Sequence, residues 1–173
     1  MIRHNRNSIA ILTGNENKSQ FAGLADDMMK FFGLGCRNVS KLYVPKGYDF
    51  SALIKELEPY RWQADHSKFR NNYDYYKSIY LVNKNPFYDN GFLLLTSSSR
   101  LNSPIGVVNF EEYSEFHNLD QRINEERKFI QCIVCTRNFG LNSVLPGQTQ
   151  QPELWDYADG VDTMDFLQRL TFD

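Results

Sequence analysis

The chain has 173 residues, 42% of them apolar and 14% aromatic, which suits one domain with a buried core. Nineteen basic against twenty-one acidic residues leave a net charge of −2, without the basic excess of a dedicated nucleic-acid binder. Three cysteines, an odd number, argue against a disulfide scaffold and fit a reducing cytoplasm. No stretch has the apolar length of a signal peptide or membrane span, so the expectation is a soluble, cytoplasmic globular domain.

In chain order, the polar start through Asn7 gives way to Ser8-Ile9-Ala10-Ile11-Leu12, a continuously apolar strand of the doubly buried kind. Thr13-Gly14-Asn15-Glu16 has capping-box spacing. The helix it introduces carries Phe21, Leu24, Met28 and Phe31/Phe32 on one face, and Gly33 and Gly35 are expected to stop it. Cys36 follows at once, then Arg37-Asn38-Val39-Ser40 and a strand, Lys41 to Pro45. Tyr48-Asp49-Phe50-Ser51 opens a second helix, with Leu53, Ile54, Leu57 and Tyr60 on one side. A third helix, Ser67 to Leu81, repeats Phe69, Tyr73, Tyr76 and Tyr80 at helical spacing. Lys68, Arg70 and Lys77 among those rings would suit a stacking surface for single strands, but a core face with solvated charges opposite is the simpler expectation.

Asn85 to Gly91 reads as a turn cluster, Phe92 to Thr96 as a strand and Ser97 to Pro104 as a polar loop. A strand returns at Ile105 to Phe110, followed by an acidic helix from Glu111 to about Arg127 and a strand from Ile130 to Thr136. From Gly140 the tail is loop-rich, with Asp162 or Thr163 capping a last short helix. Strands alternating with helices predict an α/β domain: an open, mostly parallel sheet with flanking helices.

Cys132 and Cys135 form a C-x-x-C, but their odd spacing within a strand puts the thiols on opposite faces, where burial accounts for both. His4, His66 and His117 have no metal-ligand spacing. Asp156, Asp159 and Asp162 do not match a calcium loop, and no phosphate-cradling glycine motif occurs. No metal and no nucleotide site of the chain's own is expected. Cys36 remains as filler or nucleophile. Arg37 beside it would favour the thiolate, and the N–H groups of Gly35, Cys36 and Arg37 would suit an oxyanion.

The order of apolar strand, T-G-N-E turn, amphipathic helix, F-F-G-L-G-C-R-N-V-S, K-L-Y-V-P and a helix from Y-D-F resembles the catalytic half of the aldehyde dehydrogenase superfamily. Gly33 to Ser40 and the tail Tyr157-Ala158-Asp159-Gly160-Val161-Asp162 look like its acyl-CoA reductase branch, the fatty acyl reductases related to the bioluminescence system. That resemblance implies an aldehyde-dehydrogenase-like catalytic domain in which Cys36 accepts an acyl group from acyl-CoA and hydride from NADPH releases the aldehyde. Two departures stand out. Where the superfamily has an acidic cofactor-binding segment, Asn102 to Val107 has no acidic residue, and only 35 residues precede Cys36, too few for a Rossmann-type unit. The expectation is a single catalytic domain, residues 1–173, whose N-terminal cofactor-binding domain lies outside this chain. The alternative is a non-catalytic remnant or interaction domain. Either way an apolar patch near the Cys36 loop is expected, suited to self-association.

Overall fold

The computed structural model describes residues 5–137, 143–157 and 161–170. Doubly apolar segments become central strands, and segments with one apolar face become the helices that cover them. The strands are β1 (Asn7–Ile11), β2 (Val39–Pro45), β3 (Phe87–Asp89), β4 (Leu94–Ser97), β5 (Val107–Tyr113), β6 (Ile130–Cys135) and β7 (Ser143–Val144). They form one sheet in the order β3-β4-β5-β2-β1-β6-β7, parallel throughout except for the β3–β4 pair. The helices are α1 (Lys18–Met29), α2 (Ser51–Leu57), α3 (Ser67–Val82), α4 (Phe116–Glu126) and α5 (Thr163–Leu170). None of them is long and apolar enough to cross a membrane.

Alternate residues of the central strands feed two cores. Ala10, Leu12, Leu42, Val44 and Val134 pack under Leu24, Met28 and Leu53 from α1 and α2. On the opposite face Ile9, Ile11, Tyr43, Ile133 and Cys135 meet Leu119 and Ile123 of α4. The protein is therefore an α/β domain whose mostly parallel sheet lies between helices, as the sequence predicts. On α3, Phe69 and Tyr73 are buried, while Arg70 pairs with Asp74 and Lys77 with Asp89.

Several boundaries differ from expectation. The helix cap is Asn17, whose side chain accepts from Gln20 N while Gln20 answers its backbone; Glu16 instead closes the turn before it, accepting from Thr13 and Gly14 N–H groups. Phe87–Asp89 is not turn but an edge strand on β4. β4 ends at Ser97 rather than Thr96. The segment Glu111–Tyr113, expected to be helical, extends β5, and α4 starts only at Phe116.

The last difference has an electrostatic reason. Lys41 lies fully buried on β2, with Nζ 2.8 Å from Glu111 Oε2 and also bonded to the Ser98 carbonyl. Arg122 of α4 grips the same carboxylate with both Nη1 and Nη2. Keeping Glu111 in the strand holds it beside the lysine. Burial pushes the Glu111 carboxyl up, but Lys41 and Arg122 outweigh it and hold it below its ordinary 4.5. A depressed carboxyl contributes stability that is present above the unfolded value and lost as pH falls through the folded one. Glu111→Gln is expected to cost about 2 kcal/mol at neutral pH, less than a fully buried pair because the carboxylate is part-exposed. Urea midpoints of the variant and the parent should stay a constant distance apart above pH 4.5 and converge below it. A gap unchanged in acid would remove the ion pair from the account.

Candidate functional site

α1 was expected to run on through Phe31 and Phe32. It stops at Met29, and Phe31 (φ 55°, ψ 30°), Phe32 (φ 59°, ψ 23°) and Gly33 (φ 70°) then follow in the left-handed region. Each of the two phenylalanines costs roughly 1–2 kcal/mol there. Two observations explain why the turn holds. Phe32 enters a cluster of rings, with centroids 5.7 Å from Trp62, 5.0 Å from His66 and 6.1 Å from Phe69. The carbonyls left open at the helix end are all taken: Asn38 Nδ2 donates to those of Asp27 (3.1 Å), Met28 (3.5 Å) and Lys30 (2.7 Å), and Gln63 Nε2 to that of Met29 (2.7 Å). Asn38 Oδ1 in turn accepts from Gly35 N at 2.8 Å. One buried amide thus ties the end of α1 to the loop that carries Cys36.

Cys36 is exposed, whereas Cys132 and Cys135 are buried. Its carbonyl is held by Ser8 Oγ at 2.9 Å, and the same hydroxyl accepts from Cys132 N at 3.2 Å. Ser8 sits where β1 slips out of register with both β2 and β6, an irregularity that leaves its side chain to do what ladder bonds do elsewhere. The expectation that Arg37, as the neighbour of Cys36, favours its thiolate finds no direct contact between the two. Its Nη1 lies 3.4 Å from Cys132 Sγ and 3.1 Å from the Thr149 carbonyl, so the guanidinium turns away toward β6. The oxyanion expectation is narrowed as well: Gly35 N is committed to Asn38, leaving the N–H groups of Cys36 and Arg37 as the turn's donors.

Cys36 opens into a cavity of about 800 Å³. Residues Asn5–Asn7 lead into β1, Cys36–Ser40 into β2, Leu101–Ile105 into β5, and Phe129 and Gln131 flank the start of β6. The cavity therefore lies at the amino ends of the parallel strands, opposite the usual ligand crevice of open α/β sheets. Its described lining has one thiol, one cation (Arg6) and several amides, with neither histidine nor carboxylate. Phe31 and Leu34, 68% and 65% exposed, stand beside it as the expected apolar patch.

No family model matches the sequence, and no curated protein matches it. Among solved structures, the fold is similar to a mutant of 1-pyrroline-5-carboxylate dehydrogenase from Thermus thermophilus, at 10% identity and a TM-score of 0.47. That match covers 80% of this chain and 37% of the other, so the chain spans little more than a third of its length. The assignment of chemistry rests on the site itself.

The remaining predicted residues that the structure describes fall outside the large cavity. Cys132 and Cys135 project to opposite faces of β6, and burial pushes both thiols above their ordinary 9.0, as the strand spacing implies. His66 stacks on Phe32 and His117 lies on α4, while His4 is outside the described residues. Asp156 accepts from Glu153 N and lies 3.8 Å from Arg37; Asp162 caps α5 through Met164 N and Asp165 N. Ala158, Asp159, Gly160 and the start of the loop-rich tail at Gly140 are outside the described residues. A dinucleotide does not fit the turn after β1, where a Rossmann unit would place its pyrophosphate, because the Glu16 carboxylate already occupies the Thr13 and Gly14 N–H groups.

Sequence reasoning passed over Asn38, Ser8 and Asp27. Asp27 is fully buried and accepts from Gly147 N (2.7 Å), Thr149 N (3.1 Å) and Thr149 Oγ1 (2.7 Å). The signal for Asn38 was present: a helix end with open carbonyls needs donors, and Asn38 is a neutral amide close by.

Proposed function

We propose that this chain is a thiol acyl-transfer domain in which Cys36 accepts the acyl group of a thioester such as an acyl-CoA. The observation that carries this reading is the exposed Cys36, fixed by Ser8 and Asn38 at the wall of a cavity of about 800 Å³. Cys36 Sγ attacks the thioester carbon, the bond to the CoA sulfur breaks, and CoA leaves as the thiol. One thioester replaces another, so the step is nearly neutral in free energy. The Cys36 and Arg37 N–H groups are the donors for the oxyanion. Among the described residues, the cavity lining offers amides and a cation but no histidine or carboxylate to activate water, which supports a persistent acyl-enzyme over a hydrolase.

The resemblance of Gly33–Ser40 extends this reading to an acyl-CoA reductase, in which NADPH reduces the acyl-enzyme to an aldehyde. The cofactor would be held by a domain outside these residues, and Phe31 and Leu34 at the cavity rim supply an apolar surface for it. Cytoplasmic fatty acyl metabolism is the corresponding setting. With a long-chain acyl-CoA, intact-mass measurement should show one acyl group added to the chain, and none added to Cys36→Ser. Undiminished acylation of that variant would overturn the reading. An unacylated parent chain would favour the interaction-domain alternative.

A further inference from the structure

Two of the three thiols lie on either side of one hydroxyl. Ser8 Oγ donates to the Cys36 carbonyl at 2.9 Å and accepts from Cys132 N at 3.2 Å, so the two cysteine backbones are a single serine side chain apart. Cys36 is open to the cavity and Cys132 is buried behind it, with Gln131 lining both the large cavity and the smaller one of about 100 Å³ on the Cys132 side. Arg37, the residue after Cys36, places its guanidinium 3.4 Å from Cys132 Sγ. A cation against a buried sulfur is an unneeded expense for a filler residue. Cys135, the other half of the C-x-x-C, faces the opposite core, away from Ser8 and Cys36.

We propose that Cys132 is the resolving thiol of Cys36, and that hydrogen peroxide converts the pair reversibly to a disulfide that closes the site. The Cys36 thiolate attacks one peroxide oxygen, the O–O bond breaks, and the departing hydroxide takes up a proton to leave as water. Cys36 is then a sulfenic acid. Cys132 sulfur attacks it, the S–S bond forms, the S–O bond breaks, and the second hydroxide leaves as water with the Cys132 proton. The two thiols are oxidised by two electrons, and the peroxide is reduced to two waters. A disulfide needs Cα atoms within about 7 Å, so forming the bridge draws the Cys36 turn toward β6. The guanidinium of Arg37 stabilises Cys132 sulfur as it becomes the nucleophile.

The regulatory meaning rests on the acyl-accepting role of Cys36, but the bond itself does not. The test therefore uses hydrogen peroxide without any acyl donor, so that failure of the bridge and failure of acylation are read separately. After treatment, the wild-type monomer should lose about 2 Da and regain it with a thiol reductant. Non-reducing peptide mapping should join the Cys36 and Cys132 peptides. Cys135→Ser should behave as wild type. Cys132→Ala, checked for its fold by circular dichroism, should instead gain about 16 Da or more at Cys36. Because the mapping is done on unmutated protein, it decides the matter even if that variant misfolds. Oxygen adducts on wild-type Cys36 with no mass loss, or a bridge that includes Cys135, would overturn the proposal.

Discussion

Replacing Asn38 by alanine is expected to cost about 4 kcal/mol of stability, because buried groups left unsatisfied each cost on the order of 1–3 kcal/mol. The side chain is 2% exposed and serves four backbone groups at once: the carbonyls of Asp27, Met28 and Lys30 and the N–H of Gly35. Among the described residues, no other side chain bonds the carbonyls of Asp27, Met28 or Lys30. Without the amide, the left-handed turn through Phe31 and Phe32 loses one of its two restraints, and the other, the packing of Phe32, does not reach Cys36. Acylation should therefore slow by about a hundredfold, as expected when a reacting atom is displaced by roughly 1 Å. Asn38→Asp keeps the shape but presents a carboxylate to carbonyl oxygens, and it should be at least as destabilised. Urea unfolding and single-turnover acylation measure the two effects. A variant within about 0.5 kcal/mol of the parent would show that the clasp is not what holds the turn.

The second large effect is expected from Gly23→Ala. A Cβ at this position would lie 2.7 Å from both the carbonyl carbon and oxygen of Pro146 and 2.9 Å from Gly147 N. All three are backbone atoms that cannot rotate aside. The segment around Pro146–Thr149 must lift from α1, and with it go the three hydrogen bonds to Asp27, one turn further along the helix. Overpacking and lost charge-assisted bonds together come to about 3 kcal/mol. The two sites share one segment, so their effects should not add. In a double-mutant cycle, Asp27→Ala should cost much less in the Gly23→Ala background than alone. Additive losses would mean that the segment stays seated. Lifting it also withdraws the Thr149 carbonyl from Arg37, so the Cys36 turn should loosen as well.

Strong periodicity made the framework legible. Ser8–Leu12, Lys41–Pro45 and Ile130–Thr136 are apolar enough to be central strands in any register, and α3 follows its aromatic repeat to within a residue of the expected end. Failures came where a tertiary partner outweighed a local preference. Glu111 and Glu112 look like a helix start, but Lys41 on the neighbouring strand holds Glu111 in the ladder. Phe31 and Phe32 continue an apolar helical face, yet Asn38 and the Trp62–His66–Phe69 rings bend the chain out of it. Cys36 could be singled out from its neighbours, but what holds it comes from far along the chain. Ser8 is 28 residues away and Cys132 is on a strand at the other side of β1. The direction of Arg37 is of the same kind, since a guanidinium follows its partners rather than its position in sequence.

The most direct test of the central claim is to find which sulfur carries the acyl group. The unmutated chain is incubated with a long-chain acyl-CoA, quenched in acid, digested, and the acylated peptide identified by mass. The account predicts a hydroxylamine-labile acyl group on the peptide containing Cys36, with Cys132 and Cys135 unmodified. Acylation at either buried cysteine in preference to Cys36, or an even spread over all three, would contradict it.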